Sequence, residues 1–274
     1  MSGRGAEGDP GRGRTVRIEL VVAMSIAFVV LSATQAFGIT NGVPDGERHP
    51  YVAMAYNIDD GNIGGSCSGV LVSPRVLLVS GHCTEWFLAP PPTLSADVSF
   101  APDASDLVPQ VAGTPHTYPG YCAGCGGAFG RELGNLGVIV LDEPVVLDRY
   151  AQLPSVGEAE SIKGSPITIV GYGVRSGAAG CVGYRCYPGD LGVRTMTTGA
   201  AVDAGNLRDD FLKVNAPGSA CYFDGGGPFL EGDGPTVLAV TSYSTSWSCT
   251  GPSYGTRIDN EAMLSWIRGW IENP

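Results

Sequence analysis

The segment Cys221-Tyr222-Phe223-Asp224-Gly225-Gly226-Gly227-Pro228 carries the most specific pattern in this chain of 274 residues. An acidic residue is followed at once by three glycines and a proline. Because glycine has no side chain, nothing between Asp224 and Pro228 is able to attack a carbonyl carbon. Glycine and proline are also frequent elsewhere, with 41 and 20 residues, which favours many short strands joined by turns.

Composition and charge describe an acidic globular chain. Hydrophobic residues make up 43% of the sequence, enough for one large domain or two small ones. The formal net charge is −11, and no basic run remains after the first 36 residues. A chain of this kind lacks the electrostatic footprint of a nucleic-acid-binding protein, so no nucleic-acid partner is expected.

The first 36 residues predict an export signal. Four arginines precede an apolar run over residues 20–31, and the small residues Thr34 and Ala36 follow it. This order indicates a signal peptide over residues 1–36, cleaved after Ala36 to release a secreted protein without membrane attachment. An uncleaved segment that anchors the chain in a membrane is the alternative. Eight cysteines in an exported chain favour disulfides over metal ligation, so neither a metal nor a cofactor is expected.

Short apolar segments bounded by glycine, proline, aspartate or serine predict antiparallel strands. The clearest cover residues 51–56, 69–72, 76–79, 136–141, 167–170 and 237–241. The end of the chain predicts a helix with Asp259 or Asn260 at its cap. Its apolar side chains recur at helical spacing, at Met263, Ile267, Trp270 and Ile271.

Five ordered motifs resemble those of trypsin-like serine proteases, particularly the secreted bacterial ones. They are residues 67–83 around the catalytic histidine, 135–141 at the catalytic aspartate, 171–173 (Gly-Tyr-Gly), 221–228 at the nucleophile, and 241–244 on the strand that pairs with bound peptide. The resemblance covers about residues 39–274 and implies an all-β fold. It predicts two six-stranded antiparallel β-barrels, residues 39–155 and 156–274, with a C-terminal helix and an active site in the cleft between them.

The resemblance also assigns the catalytic positions. His82 stands at the catalytic histidine, Asn135 at the aspartate and Gly225 at the serine. The mechanism needs a serine that attacks, a histidine that takes its proton and an aspartate that orients the histidine. Only one of the three remains. In the family the oxyanion hole uses backbone N–H groups at the serine and at a glycine two residues earlier. That glycine is Phe223 here, and its side chain is expected to alter the turn.

Three further positions imply a changed specificity pocket, and two imply an activation pair. Ser219 replaces the aspartate that selects basic side chains in trypsins, so no preference for Lys or Arg is expected. Ser244 replaces a glycine and Tyr243 a tryptophan at the pocket mouth, which predicts a narrower opening.

In the family, the residue at Asp224 pairs with the amino terminus freed by activation cleavage, and Ile39 matches that terminus.

The resemblance pairs Cys67 with Cys83 and Cys221 with Cys249. For the other four cysteines, local loop disulfides Cys122–Cys125 and Cys181–Cys186 are preferred over a zinc or redox site, because only one pair has the Cys-x-x-Cys spacing. The two remaining histidines, His49 and His116, are expected to be ordinary surface or loop residues rather than catalytic bases.

The sequence therefore predicts a secreted pseudoprotease, not an enzyme, that binds a protein or peptide or acts in regulation, as a monomer. A second hypothesis is an active serine endopeptidase that uses an unrecognised nucleophile. A third is an inactivated variant of an active parent, in which Asn135→Asp and Gly225→Ser together would recover activity.

Overall fold

The computed structural model describes Met1, Gly3, Gly5 and residues 39–59, 62–89, 95–125, 132–174, 181–182, 185–186, 191–246 and 248–274. The chain divides after Gln35, and the fold described below belongs to the unit Ala36–Pro274. Apart from those three residues, the predicted signal peptide lies outside the described part of the chain. Within the described ranges, no helix combines the length and the apolar character needed to span a membrane.

The first half of the described chain forms a closed antiparallel barrel. After a short strand β1 (Val43–Pro44), the barrel runs in the order β2-β3-β4-β7-β6-β5, and β5 pairs again with β2. Helix α1 (Gly81–Leu88) follows β4. The six strands are β2 (Val52–Asp59), β3 (Asn62–Ser73), β4 (Val76–Val79), β5 (Ala96–Ser99), β6 (Val111–Thr117) and β7 (Gly137–Leu141).

The second half forms another six-stranded barrel, in the order β11-β12-β15-β14-β13-β8, which closes because β8 also pairs with β11. Its strands are β8 (Pro166–Gly171), β11 (Thr195–Val202), β12 (Phe211–Asn215), β13 (Pro228–Glu231), β14 (Val237–Ser244) and β15 (Ser253–Arg257). Between β8 and β11, β9 (Cys181–Val182) and β10 (Arg185–Cys186) pair as a separate ladder. Two 3-10 turns cover Glu158–Glu160 and Gly205–Leu207.

The chain ends in helix α2 (Glu261–Glu272), capped by the Asn260 side chain, which accepts the Met263 N–H at 2.9 Å. Met263 and Ile267 are buried against the core, as their spacing predicts. The predicted all-β class, the two six-stranded barrels and the terminal helix are confirmed.

The structure differs from the predicted barrel boundary at its start. Strand β1 pairs with β11 of the second barrel, and Thr40 bridges to Ser219. Residues 39–44 therefore pair with the second barrel, although they were assigned to the first. Helix α1 was also not predicted, because eight residues are too few to carry a clear helical period.

The buried side chain of Arg194 joins the two barrels. The Arg194 guanidinium contacts Asp45 at 2.9 Å and donates to the carbonyl of Val52 on β2 and to the hydroxyl of Tyr172, both at 3.1 Å. His49 binds the other oxygen of Asp45 at 2.5 Å. His49 thus lies in a loop, as one of the two expected alternatives had it, but it is buried as the partner of a carboxylate rather than exposed at the surface. Burial raises the pKa of Asp45, but its hydrogen bonds to His49 and the positive charge of Arg194 hold the pKa below its ordinary value.

Candidate functional site

His82 is presented at the start of helix α1. Ser80, at the N-cap, donates its hydroxyl to the Thr241 carbonyl on β14 at 2.6 Å. The disulfide Cys67–Cys83 links the residue after His82 to strand β3. A side-chain bond across the two barrels and a covalent bond within the first barrel therefore fix the start of α1, and with it the direction of the imidazole.

Asn135 is fully buried just before strand β7. Its side-chain oxygen accepts the backbone N–H of His82 at 3.0 Å, and its side-chain nitrogen donates to Ser242 Oγ at 2.9 Å. Asn135 therefore holds the histidine backbone and reaches across to the second barrel.

Glu132 is a site residue that the sequence did not reveal. Its Oε2 lies 2.9 Å from His82 Nδ1 and 2.8 Å from Asn135 Nδ2. The only signal in the sequence is an acidic residue three positions before Asn135. The structure thus supplies His82 with a carboxylate from the loop before β7, although the position where the resemblance implies an aspartate holds an amide.

His82 Nδ1 and Asn135 Nδ2 both lie within hydrogen-bond distance of Glu132 Oε2, and the two nitrogens are 3.0 Å apart. Asn135 Nδ2 carries two hydrogens, and Glu132 and Ser242 accept both of them. A hydrogen bond to a carboxylate is stronger than one between neutral groups, so we assign the Nδ1 proton to the bond with Glu132. This tautomer leaves the lone pair on Nε2.

Glu132 is ionised at neutral pH. Burial raises the pKa of its carboxyl, but hydrogen bonds from His82 and Tyr121 hold the pKa below its ordinary value. Burial, together with the negative charge of Glu132, raises the pKa of Tyr121. The Tyr121 hydroxyl therefore stays protonated and serves as a donor.

Gly225 lies opposite His82 on the second barrel. A Cβ atom built at Gly225 would be 2.7 Å from His82 Nε2 and 3.1 Å from Cε1. The imidazole therefore points at the place where a serine side chain would begin. Within the described part of the chain, Nε2 has no hydroxyl at hydrogen-bond distance.

The backbone of the nucleophile loop keeps a left-handed turn. Phe223 has φ +72° and Gly226 has φ +84°. A Cβ at Gly226 would lie 2.4 Å from the Ser68 carbonyl oxygen, so only glycine fits there without a shift of the backbone. We expected Phe223 to alter the turn. Instead it adopts the conformation that glycine would favour, at a cost of about 1–2 kcal/mol.

Asp224 is buried and accepts the N–H groups of Gly173 and Cys221, both at 2.8 Å. Burial outweighs these two bonds and raises its pKa to about 7. Ile39 is buried too, but its N–H donates to the Thr195 hydroxyl. The structure, in which Gly38 precedes Ile39, does not bring Ile39 and Asp224 together. Pairing by a freed Ile39 terminus remains a prediction.

A pocket of about 670 Å³ lies beside His82 and Gly225. Tyr243 and Ser244 line it, as predicted for the mouth, and Tyr243 stacks on Tyr254 with ring centroids 4.7 Å apart. Ser219 is not part of the lining, because its hydroxyl turns away to the Gly251 carbonyl at 2.9 Å. Although larger residues stand at the mouth, the pocket has room for an aromatic side chain.

Three of the predicted disulfides are present: Cys67–Cys83, Cys221–Cys249 and Cys122–Cys125. The side chains of Cys181 and Cys186 lie outside the described residues. Donor atoms of Cys67, Cys83 and His82 come close enough to suggest a metal site, but the two sulfurs are bonded to each other and offer no thiolate. His116 lies away from the site and stacks on Trp270 of α2, with centroids 4.2 Å apart.

Two closed six-stranded barrels, with a histidine of one facing a glycine-rich loop of the other, define the chymotrypsin fold. The family model named Trypsin matches residues 40–267. The chain therefore belongs to the trypsin family. No curated protein sequence matches it.

Solved structures share this fold at low sequence identity. A human heparin binding protein is 20% identical, with a TM-score of 0.63 over 86% of this chain and 98% of its own. A structure titled HL collagenase is 17% identical, with a TM-score of 0.63 over 86% of this chain and all of its own. A scabies mite inactivated protease paralogue is 18% identical, with a TM-score of 0.61 over 85% of this chain and 99% of its own.

Proposed function

We propose that this chain is a secreted, catalytically inactive member of the trypsin family that binds a protein or peptide in the pocket beside His82. The observation that carries the proposal is that His82 Nε2 faces Gly225. A base points at a residue that has no hydroxyl to deprotonate. Without a nucleophile the acyl-enzyme cannot form, and loss of the serine alone costs on the order of 10⁶ in rate.

Three hydroxyls close to the site are engaged elsewhere, which argues against any of them as an unrecognised nucleophile. Ser80 donates to the Thr241 carbonyl, and Thr241 donates to the Gly227 carbonyl at 2.9 Å. Ser242 accepts from Asn135, on the Nδ1 side of His82. None of the three lies within hydrogen-bond distance of Nε2, the atom that would take the proton.

The pocket lining indicates the kind of ligand. Its residues include Tyr243, Tyr254, Phe223 and Leu207, and no carboxylate or ammonium group of the described residues is among them. A neutral aromatic or aliphatic side chain would bury apolar area there, whereas a cation would lose hydration without a partner. We therefore propose a ligand that presents an uncharged apolar side chain. The scabies mite paralogue, whose title calls it inactivated, supports the idea that this fold persists without catalysis.

The same proposal extends to location and assembly. Three disulfides favour an oxidising compartment and therefore a secreted protein. The net charge of −11 favours a soluble monomer and disfavours polyanionic partners such as nucleic acid.

Activity and binding are tested together on the purified protein. We expect no labelling by a fluorophosphonate probe and no cleavage of casein. N-acetyl-phenylalaninamide should shift the NMR signals of pocket residues, and N-acetyl-argininamide should not. Ser244→Trp should block the pocket and remove the shifts, while Ser105→Trp, on an exposed turn of the first barrel, should keep them. Covalent labelling of the native chain, or stronger binding of the arginine compound, would contradict the proposal.

A further inference from the structure

We propose that Glu132 has taken over the orientation of His82, so that the histidine remains a working base and Gly225 alone keeps the site silent. The inference rests on the proposed function and deepens it. It reduces two apparent losses, at the nucleophile and at the orienting acid, to a single missing side chain.

The first argument is the hydrogen-bond pattern. Glu132 Oε2 accepts from His82 Nδ1 at 2.9 Å, and Asn135 uses its two amide hydrogens on Glu132 and Ser242. The hydrogen on His82 Nδ1 and the two amide hydrogens of Asn135 therefore each have one acceptor. The pattern fixes the Nδ1 tautomer and directs the Nε2 lone pair at Gly225, which is the arrangement a general base requires.

The second argument is that the carboxylate belongs to a network. An isolated ion pair on the surface is weak and adopts many geometries. Glu132 is only 28% exposed and is held by His82, Asn135 and the Tyr121 hydroxyl. A carboxylate held from three sides keeps its geometry, as a positioning residue must.

The third argument is that the amide at Asn135 matches the carboxylate at Glu132. Asn135 Nδ2 donates to Glu132 Oε2 at 2.8 Å. An aspartate at position 135 would replace this donor with a second negative oxygen at the same distance, and like charges so close disfavour each other. The site therefore accommodates one carboxylate, at position 132 or at position 135, and restoring the family's aspartate alone would damage it.

The chemistry that this arrangement permits is tested by restoring a hydroxyl. In a Gly225→Ser variant the serine oxygen would bond to the phosphorus of a fluorophosphonate, fluoride would leave, and the hydroxyl proton would pass to His82 Nε2. The new Cβ would be 2.7 Å from Nε2. Because that atom is the end of a side chain, a small swing of the ring relieves the contact.

The experiment compares labelling rates of Gly225→Ser alone and combined with changes at positions 132 and 135. We expect Gly225→Ser to label, and Glu132→Gln to slow the labelling by about 10²–10⁴-fold, because the tautomer is no longer fixed. Glu132→Gln with Asn135→Asp should restore the rate to within about tenfold, since the carboxylate has only moved. Asn135→Asp with Glu132 retained should be slower than Gly225→Ser alone. The exposed Glu143→Gln is the control and should change nothing.

A second measurement does not need the serine. Imidazole nitrogen-15 shifts of the unsubstituted protein should report a proton on Nδ1 of His82, and Glu132→Gln should abolish that preference. An unchanged tautomer would overturn the role of Glu132. A folded Gly225→Ser protein that does not label would overturn the claim that Gly225 alone silences the site. Labelling of the native chain would instead contradict the proposed function, so the two failures are distinguishable.

Discussion

The two halves of the candidate site have changed in different ways. On the histidine side, supplied by the first barrel, Asn135 stands where the resemblance implies an acid, and Glu132 places a carboxylate beside His82. On the nucleophile side, supplied by the second barrel, the left-handed turn at Phe223 and Gly226 remains, yet Gly225 has no side chain. One half places a carboxylate beside its histidine, and the other has a backbone turn with no side chain at position 225.

The nucleophile loop can lose its side chain without collapse because backbone bonds shape it. The Gly226 N–H donates to the Thr241 carbonyl at 2.9 Å, and the Thr241 N–H donates to the Gly227 carbonyl at 2.8 Å. None of these bonds involves a side chain at position 225. A loop that neighbouring strands hold in this way stays in place when its reactive residue is replaced.

The largest effect is expected from a matched pair of substitutions in this loop. Gly226→Ala should lower the free energy of unfolding by about 3–4 kcal/mol, because it adds a left-handed alanine and a clash with backbone. Gly225→Ala should lower it by no more than about 1 kcal/mol, because the new methyl would meet the end of the His82 side chain, which is able to swing away, and Cys83 Sγ at 3.3 Å, but no backbone atom. Chemical denaturation of both variants measures the difference.

Equal losses in the two variants would contradict this comparison. They would mean that Gly225 is required by the backbone, and that the loop had been rebuilt around glycine. A small loss at Gly225 alone would support an otherwise intact site that lacks a hydroxyl.

The next effect concerns Asp224, whose pKa is raised to about 7. The Asp224 carboxyl then holds its proton more tightly in the folded state than in the unfolded state. Its contribution to the free energy of unfolding is therefore complete at acid pH. It is lost as pH rises through 7. From pH 5 to pH 8 the free energy of unfolding should fall by about 2–3 kcal/mol. Denaturation midpoints across this range measure the loss.

Asp224→Asn is the control for that pH dependence, because an amide does not ionise. In this variant the decline between pH 5 and pH 8 should disappear. Persistence of the decline would assign it to another group and would leave Asp224 without a role in the pH response of the loop.

Much of the fold was predictable from local patterns. The runs at residues 76–79 and 136–141 are strands within one residue of their expected bounds, because buried strands carry their signal in consecutive apolar residues. Asn260 caps the last helix as its position suggested. The two closed barrels were predicted only from the resemblance, through the order of the motifs. Local patterns do not show which strands pair with each other.

The histidine side was not predictable to the same degree. Glu132 is 50 residues away from His82 along the chain, and Arg194 is 149 residues away from Asp45. Contacts of this kind arise only when the barrels close, so no spacing rule finds them. The resemblance pointed to Asn135, which does contact His82, but no pattern in the sequence indicated that the carboxylate of Glu132 lies beside the same histidine.

The smallest effect is expected at Phe223, in the Gly225→Ser background. Since Phe223 already has φ +72°, a glycine there would relieve strain without redirecting the backbone N–H that the resemblance assigns to an oxyanion hole. Phe223→Gly should change the fluorophosphonate labelling rate by less than about fivefold, well under the change from Glu132→Gln. Tyr222→Ala, one residue earlier, is the control for lost packing. A gain of about 10² or more from Phe223→Gly alone would show that the turn itself had been disabled. The nucleophile side would then have lost two functions, against none on the histidine side.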